Sequence, residues 1–254
     1  MQKVTVNRNK IAYARRGAGT PLVLVHGYPL DHTTWNDVLP LLEDRFDIIT
    51  PDLRGFGESD VVESQYTIAD MAADIAGLLD ALEIEQAVIA GHSMGGYVAL
   101  AFARAFPQRV QGLGLIGSQA LADPPERKQE RYAAAEKIMN TGVGPVAESF
   151  PGLLSPDERV QAFVRELIAK QSPEGLAGAL KAMAERDDSS SALSSFKFPV
   201  ALIHGVLDEL IPIQRAREIK GPIPHAHLLE LPKAGHMPAM EEPESVAAAL
   251  KKLV

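Results

Sequence analysis

The chain has no cysteine, a single tryptophan and an aromatic content of only 6%. Without cysteine there are no disulfides, no thiolate metal sites and no cysteine nucleophile. Basic residues are scarce as well: 25 Lys and Arg stand against 33 Asp and Glu, giving a net charge of −8 with no basic run. Nucleic acid is therefore not an expected partner, because phosphate contacts need clustered Lys and Arg. No apolar run approaches the ~20 residues that cross a bilayer. The N-terminal MQKVTVNRNK carries charge without a following apolar stretch, so no secretory signal is read there. The expectation is a cytoplasmic protein with no membrane partner, monomer or homodimer. The seven histidines are scattered, with no H-x-x-x-H or H-E-x-x-H, so neither a metal nor a cofactor is expected. What is present suits one well-cored domain: 254 residues, 46% hydrophobic and 23% charged, with no internal repeat.

Hydrophobic spacing sets the order of elements. Val4, Val6, Ile11 and Tyr13 alternate around a turn, which predicts an edge hairpin. PLVLVH at 21–26 is continuously apolar, as in a strand buried on both faces. Trp35, Val38, Leu39 and Leu42 follow at helical spacing and predict a helix over 33–42. Then come a strand at 46–50, a Gly-rich turn at 51–60, a helix over 68–82, a strand at 86–90, a helix over 95–106 and a strand at 110–116. The rhythm breaks at 119–195, where amphipathic helices over 126–139, 157–169 and 174–185 are separated by Pro and Gly at 142–145, 151–156 and 172–173. Alternation resumes with strands at 199–204 and 227–231 and helices at 213–219 and 243–253. This α/β pattern predicts a mostly parallel, doubly wound sheet built from 1–118 and 196–254, with 119–195 inserted as a helical cap.

Chemistry concentrates at strand ends. VIAGHSMGG at 88–96 joins a strand directly to a helix through Gly91, His92, Ser93, Met94 and Gly95, the G-x-S-x-G elbow pattern. A serine at so tight a turn needs neighbours without a Cβ, and it stands at a helix N-terminus whose unpaired N–H groups favour an anion. Asp208, in HGVLDE, and His236, in PKAGHMP, follow later strands. In open α/β sheets function collects at such carboxyl ends. The order Ser, Asp, His, together with HGYP at 26–29, DLRGFGES at 52–59, GHSMGG at 91–96 and GH at 235–236, resembles the α/β-hydrolase fold over nearly the whole chain. Within that fold the chain is similar to the carboxylesterase and 3-oxoadipate enol-lactonase group.

The resemblance implies Ser93 as nucleophile, His236 as general base and acid, and Asp208 as the group that orients it. Backbone N–H groups of Tyr28 and Met94 are the implied oxyanion donors. The Tyr28 ring is open to two readings, pocket wall or packed loop aromatic. His26 and His92 are expected to shape the loops, and Asp208 is preferred over Asp123 as the acid. Arg54 and Asp52 are expected to hold their loop. Trp35, Met139, Phe150, Leu153, Met183 and Met237 are the candidate pocket residues, a mix that suits a small or medium ester with an apolar part. A lactonase acting on a carboxylated ring would want an inward Arg or Lys, with Arg127, Arg131, Arg159, Arg165 and Arg186 available. A perhydrolase, a hydrolase-fold signal receptor and an inactive binding module are the alternative readings; the partner in every enzymatic one is a small-molecule ester or lactone.

Overall fold

The apolar run after Gly19 forms the strand on which the rest of the sheet is laid. In the computed structural model, which describes residues 1–62 and 64–254, eight strands pair in one sheet: β1 (Gln2–Val6), β2 (Asn9–Gly17), β3 (Thr20–Val25), β4 (Phe46–Pro51), β5 (Ala87–His92), β6 (Val110–Ile116), β7 (Val200–Gly205) and β8 (His227–Leu231). Their order is β1-β2-β4-β3-β5-β6-β7-β8. The β1–β2 hairpin is antiparallel and β2 joins β4 antiparallel, while β4 to β8 with β3 pair in parallel. After β4 the chain crosses to the other side of β3, so the loops following β3 and β5 diverge there and leave a crevice at the carboxyl ends.

The period-2 alternation of buried strands divides the core. Leu22, Leu24, Val88 and Ala90 pack on one face with Trp35, Leu42, Val246 and Leu250. Val23, Val25 and Ile89 pack on the other with helices α1 (Ile68–Ala81) and α2 (Met94–Ala105). Helix α1 begins at a capping box: the Thr67 hydroxyl accepts from Asp70 N–H at 3.1 Å, and Thr67 N–H donates to the Asp70 carboxylate at 2.8 Å.

Between β6 and β7 every regular element is helical: α3 (Pro125–Thr141), α4 (Gly144–Ser149), α5 (Pro151–Leu154), α6 (Glu158–Ile168), α7 (Pro173–Ala184) and a 3-10 turn at Ser190–Ser195. The Pro and Gly stretches expected as separators at 142–145 and 151–156 hold α4 and α5, because Pro145 and Pro151 open these helices, where a missing N–H costs nothing. After β7 follow α8 (Gln214–Lys220), α9 (Pro238–Glu241) and α10 (Pro243–Leu250). The helix expected over 33–42 is replaced by two 3-10 turns, His32–Trp35 and Leu39–Leu41. Pro40 lacks the N–H and carries the ring that exclude it from a helix interior. No helix among the described residues is long and apolar enough to cross a membrane.

Candidate active site

The elbow is made by sterics before chemistry. Ser93 has φ 52° and ψ −115°, a left-handed conformation that a residue with a side chain adopts only when its surroundings impose it. A Cβ on Gly91 would collide with the Gly95 backbone, and one on Gly95 with the Val25 carbonyl. The strand-to-helix turn closes only because both are absent. Gly91→Ala is expected to destabilise the protein by more than about 3 kcal/mol. Gly152→Ala, where nothing lies within 4 Å of the added methyl, should move the urea midpoint little. Denaturation curves of the two variants check this.

Hydrogen bonds hold the serine in place. Ser93 N–H donates to Ile116 O at 2.9 Å, and Ser93 O accepts from Gly96 N–H and from the Ser118 hydroxyl, both at 2.9 Å. Sequence reasoning overlooked Ser118, since its partner lies 25 residues away and no spacing rule links them.

Three loops bring the candidate residues together. His236 Nε2 lies 2.9 Å from Ser93 Oγ, and His236 Nδ1 lies 2.7 Å from Asp208 Oδ2. Asp208 Oδ1 is occupied separately: the backbone N–H groups of Leu210 and Ile211 both donate to it at 2.9 Å. Burial alone would raise the Asp208 pKa, yet the charge of His236 and hydrogen bonds from His204, His236 and Ile211 hold it far below the carboxylate range. A half-buried hydroxyl, a buried imidazole and a buried carboxylate in this series have the connectivity of an activated nucleophile.

The His236 loop is anchored from behind. His236 N–H donates to Leu154 O at 2.8 Å, Gly235 N–H donates to Glu241 at 2.8 Å, and the Ser155 hydroxyl donates to the same carboxylate at 2.5 Å. Glu241 thereby ties the His236 loop to the end of α5, a role no motif signalled. Asp123, the other acid considered, does not reach His236; it pairs with Arg131 and Arg186. His26 and His92 hold loops together through their ring nitrogens. His26 Nδ1–H donates to Gly27 O and His26 Nε2 accepts from Leu53 N–H, both at 2.9 Å, joining the ends of β3 and β4. His92 Nε2–H donates to His236 O at 2.6 Å.

Burial pushes His92 down from 6.5 to about 3, with His236 adding to the shift, so it stays neutral in the folded protein. The unfolded chain takes up that proton below pH 6.5 while the folded chain resists until about pH 3. Stability should therefore fall as pH drops through this window, by up to about 1.4 kcal/mol per unit for this one group. Denaturant midpoints at pH 7.5, 6 and 5 should slope less for His92→Asn than for the parent.

Tyr28 and Met94 flank the serine. Met94 is the first residue of α2, where N–H groups have no helical acceptor. Tyr28 N–H has no hydrogen-bond acceptor among the described residues. The Tyr28 ring meets Phe56 and Phe150 edge-on at 6.3 and 6.0 Å and also lines the cavity, so both readings of it hold together.

A cavity of about 940 Å³ opens onto Ser93 and His236, and Phe150, Leu153 and Met183 line it. Three candidates do not. Trp35 is fully buried in the core on the opposite sheet face, Met237 turns into the core beside the sheet, and Met139 is 50% exposed. On α3 the cavity is lined by Arg127, Glu130, Arg131, Ala134, Lys137, Ile138 and Thr141, positions three and four apart on one helical face, and Met139 falls off it. Arg54 is paired with Asp74 at 2.6 Å rather than with Asp52, which accepts from His32 and Glu58. Asp31, His32 and Asp52 form the one carboxylate and imidazole group close enough for a metal among the described residues, but their atoms are already engaged with one another and with backbone N–H groups.

The family model described as alpha/beta hydrolase fold matches residues 20–243. The chain belongs to the α/β-hydrolase family. It is 33% identical, over 96% of its length, to the dihydrolipoyllysine-residue acetyltransferase component of an acetoin cleaving system from Pseudomonas putida, of which it spans 66%, just under two thirds. Among solved structures it is similar to a thermophilic esterase from Thermogutta terrifontis, at 38% identity and TM-score 0.94, covering 99% of this chain and 96% of that one. An enol-lactonase from Burkholderia xenovorans, at 24% identity and TM-score 0.92 with 99% of both chains covered, shares the fold. The protein is accordingly a hydrolase of the α/β-hydrolase superfamily, with esterase and enol-lactonase structures among its neighbours.

Proposed function

We propose that this hydrolase cleaves carboxylic esters of small or medium size through an acyl-enzyme formed on Ser93. The observation that carries the reading is the contact series Ser93 Oγ, His236 Nε2, His236 Nδ1, Asp208 Oδ2 at 2.9 and 2.7 Å, with its serine end open to the cavity. The 38% identity to an esterase supports it.

A serine hydroxyl is a weak nucleophile near neutral pH and needs a base within hydrogen-bond reach. As Ser93 Oγ attacks the ester carbonyl carbon, its proton passes to His236 Nε2. The charge that develops on the carbonyl oxygen is received by the N–H groups of Tyr28 and Met94, each such donor being worth on the order of 10²–10³ in rate. Collapse expels the alcohol, which takes the proton from His236. Water, deprotonated by the same nitrogen, then releases the acid and restores Ser93. Asp208 keeps the proton on Nδ1 and stabilises the imidazolium. A lactone is an internal ester and runs through the same steps.

A graded panel of p-nitrophenyl esters and lactones tests the proposal, with Ser93→Ala as the control. Turnover above that control on at least one acyl length is expected; none on any member would overturn it.

A further inference from the structure

The wall of the cavity formed by α3 and the segment after β6 contains an ion cluster that the proposed chemistry does not use. Asp123, 3% exposed in its side chain, receives Arg131 Nε at 2.5 Å and Arg186 Nη2 at 2.8 Å. Two guanidinium groups thus share one carboxylate, leaving one positive charge uncompensated. Burial would raise the Asp123 pKa, but hydrogen bonds from Arg186 and Arg131 outweigh it, so the acid stays charged and the imbalance persists.

The two arginines differ in what they have left to give. Arg186 is largely spent: besides Asp123 it donates to Leu121 O at 3.2 and 2.8 Å and to Met183 O at 2.8 Å, and lies over the Tyr97 ring at 4.2 Å. Arg131 lines the cavity with a side chain only 12% exposed. Beyond Asp123 its one partner among the described residues is Met183 Sδ, 3.5 Å from Nη1, a weak acceptor. Its Nη2 meets no acceptor there. The remaining cavity charges are at the solvent-exposed rim: Arg127 pairs with Glu130, Arg215 pairs with Glu218, and Lys137, Asp188 and Glu209 stand exposed. Salt and water screen these, while the charge on Arg131 sits in a largely buried side chain and is screened less.

Tyr28 supplies a second donor. Its hydroxyl has no hydrogen-bond partner among the described residues although the residue is 8% exposed and lines the same cavity. Burial raises its pKa, against the nearby charge of Arg131, so it remains a neutral O–H donor.

We infer that Arg131 and the Tyr28 hydroxyl form a subsite for a substrate carboxylate, so that the enzyme prefers monoanionic esters, such as half-esters of short dicarboxylic acids or lactones bearing a carboxylate. A guanidinium with two free N–H directions and a hydroxyl on the wall of the same cavity are suited to a carboxylate, and burial strengthens the pairing. The inference rests on the ester-hydrolase reading of the same cavity.

Matched substrates test it. The kcat/KM of p-nitrophenyl hemiglutarate is compared with that of p-nitrophenyl pentanoate, and a third ester, p-carboxyphenyl butyrate, carries the carboxylate on the alcohol side. One of the two anionic esters should be preferred over pentanoate, and which one locates the carboxylate. Arg131→Gln should lower that preference ratio roughly 10- to 100-fold, mainly through KM. Arg131→Lys should fall between, and Tyr28→Phe should lower the ratio less than Arg131→Gln does. Glutarate should raise the melting temperature of the parent and of Ser93→Ala, but not of Arg131→Gln. Turnover of pentanoate with an unchanged ratio in Arg131→Gln would overturn the subsite and leave the esterase reading standing. No turnover of any ester would overturn the esterase reading, and the glutarate shift would then decide the subsite by itself.

Discussion

Ser93→Ala is expected to lower ester turnover on the order of 10⁶-fold while the protein stays folded. The loss is that large because the covalent route disappears altogether; what survives comes from the oxyanion donors and substrate binding acting on water. The fold should tolerate the change, since the structural work at this position is done by the backbone. Ser93 N–H and O carry the bonds to Ile116, Gly96 and Ser118, and its side chain caps no helix. Ser118→Ala is a useful companion: among the described residues that hydroxyl hydrogen-bonds only to the Ser93 carbonyl, so its loss should cost far less than the loss of Ser93. Steady-state rates beside far-UV circular dichroism check both.

Asp208→Asn should lower kcat about 10⁴-fold. Because the Leu210 and Ile211 N–H groups require an acceptor at the Oδ1 position, the amide oxygen of an asparagine must occupy it. The NH2 group is then turned toward His236 Nδ1. A donor there favours the tautomer with its proton on Nε2, which cannot accept the proton of Ser93. Asp123→Asn should behave differently, since its partners are Arg131 and Arg186 rather than His236. Removing one charge from a buried pair costs about 3–5 kcal/mol of stability, and kcat on a neutral ester should change much less than in Asp208→Asn. Activity that survived Asp208→Asn and vanished in a folded Asp123→Asn would reverse the assignment of the acid.

Local sterics and local order were legible in the sequence; lateral packing was not. The elbow could be read because Gly91, Ser93 and Gly95 meet one another within five residues, and the ends of β5, β7 and β8 could be read from apolar runs. The 33–42 segment has a helical apolar spacing, but Pro40 outweighs it. Trp35 and Met237 both lie close to the site in sequence and face the core in space, since a one-residue rotation in a loop reverses the side to which a side chain turns. Phe150, Leu153 and Met183 fall on the cavity, whereas Met139 misses it by one position on α3. The hardest features were those joining distant residues: Ser118 to Ser93, Glu241 to Ser155, and Asp123 between Arg131 and Arg186. Such pairings follow from how α3, α7 and the loop of His236 pack together, which no periodicity encodes.

The most direct test of the central claim is to trap the nucleophile with a p-nitrophenyl alkylphosphonate, whose phosphorus stays on the attacking oxygen as p-nitrophenolate leaves. Release of one equivalent of p-nitrophenolate is expected, with loss of ester turnover and the added mass mapped to the peptide containing Ser93, and no such adduct in Ser93→Ala. An adduct on any other residue, or undiminished adduct formation in Ser93→Ala, would contradict the account.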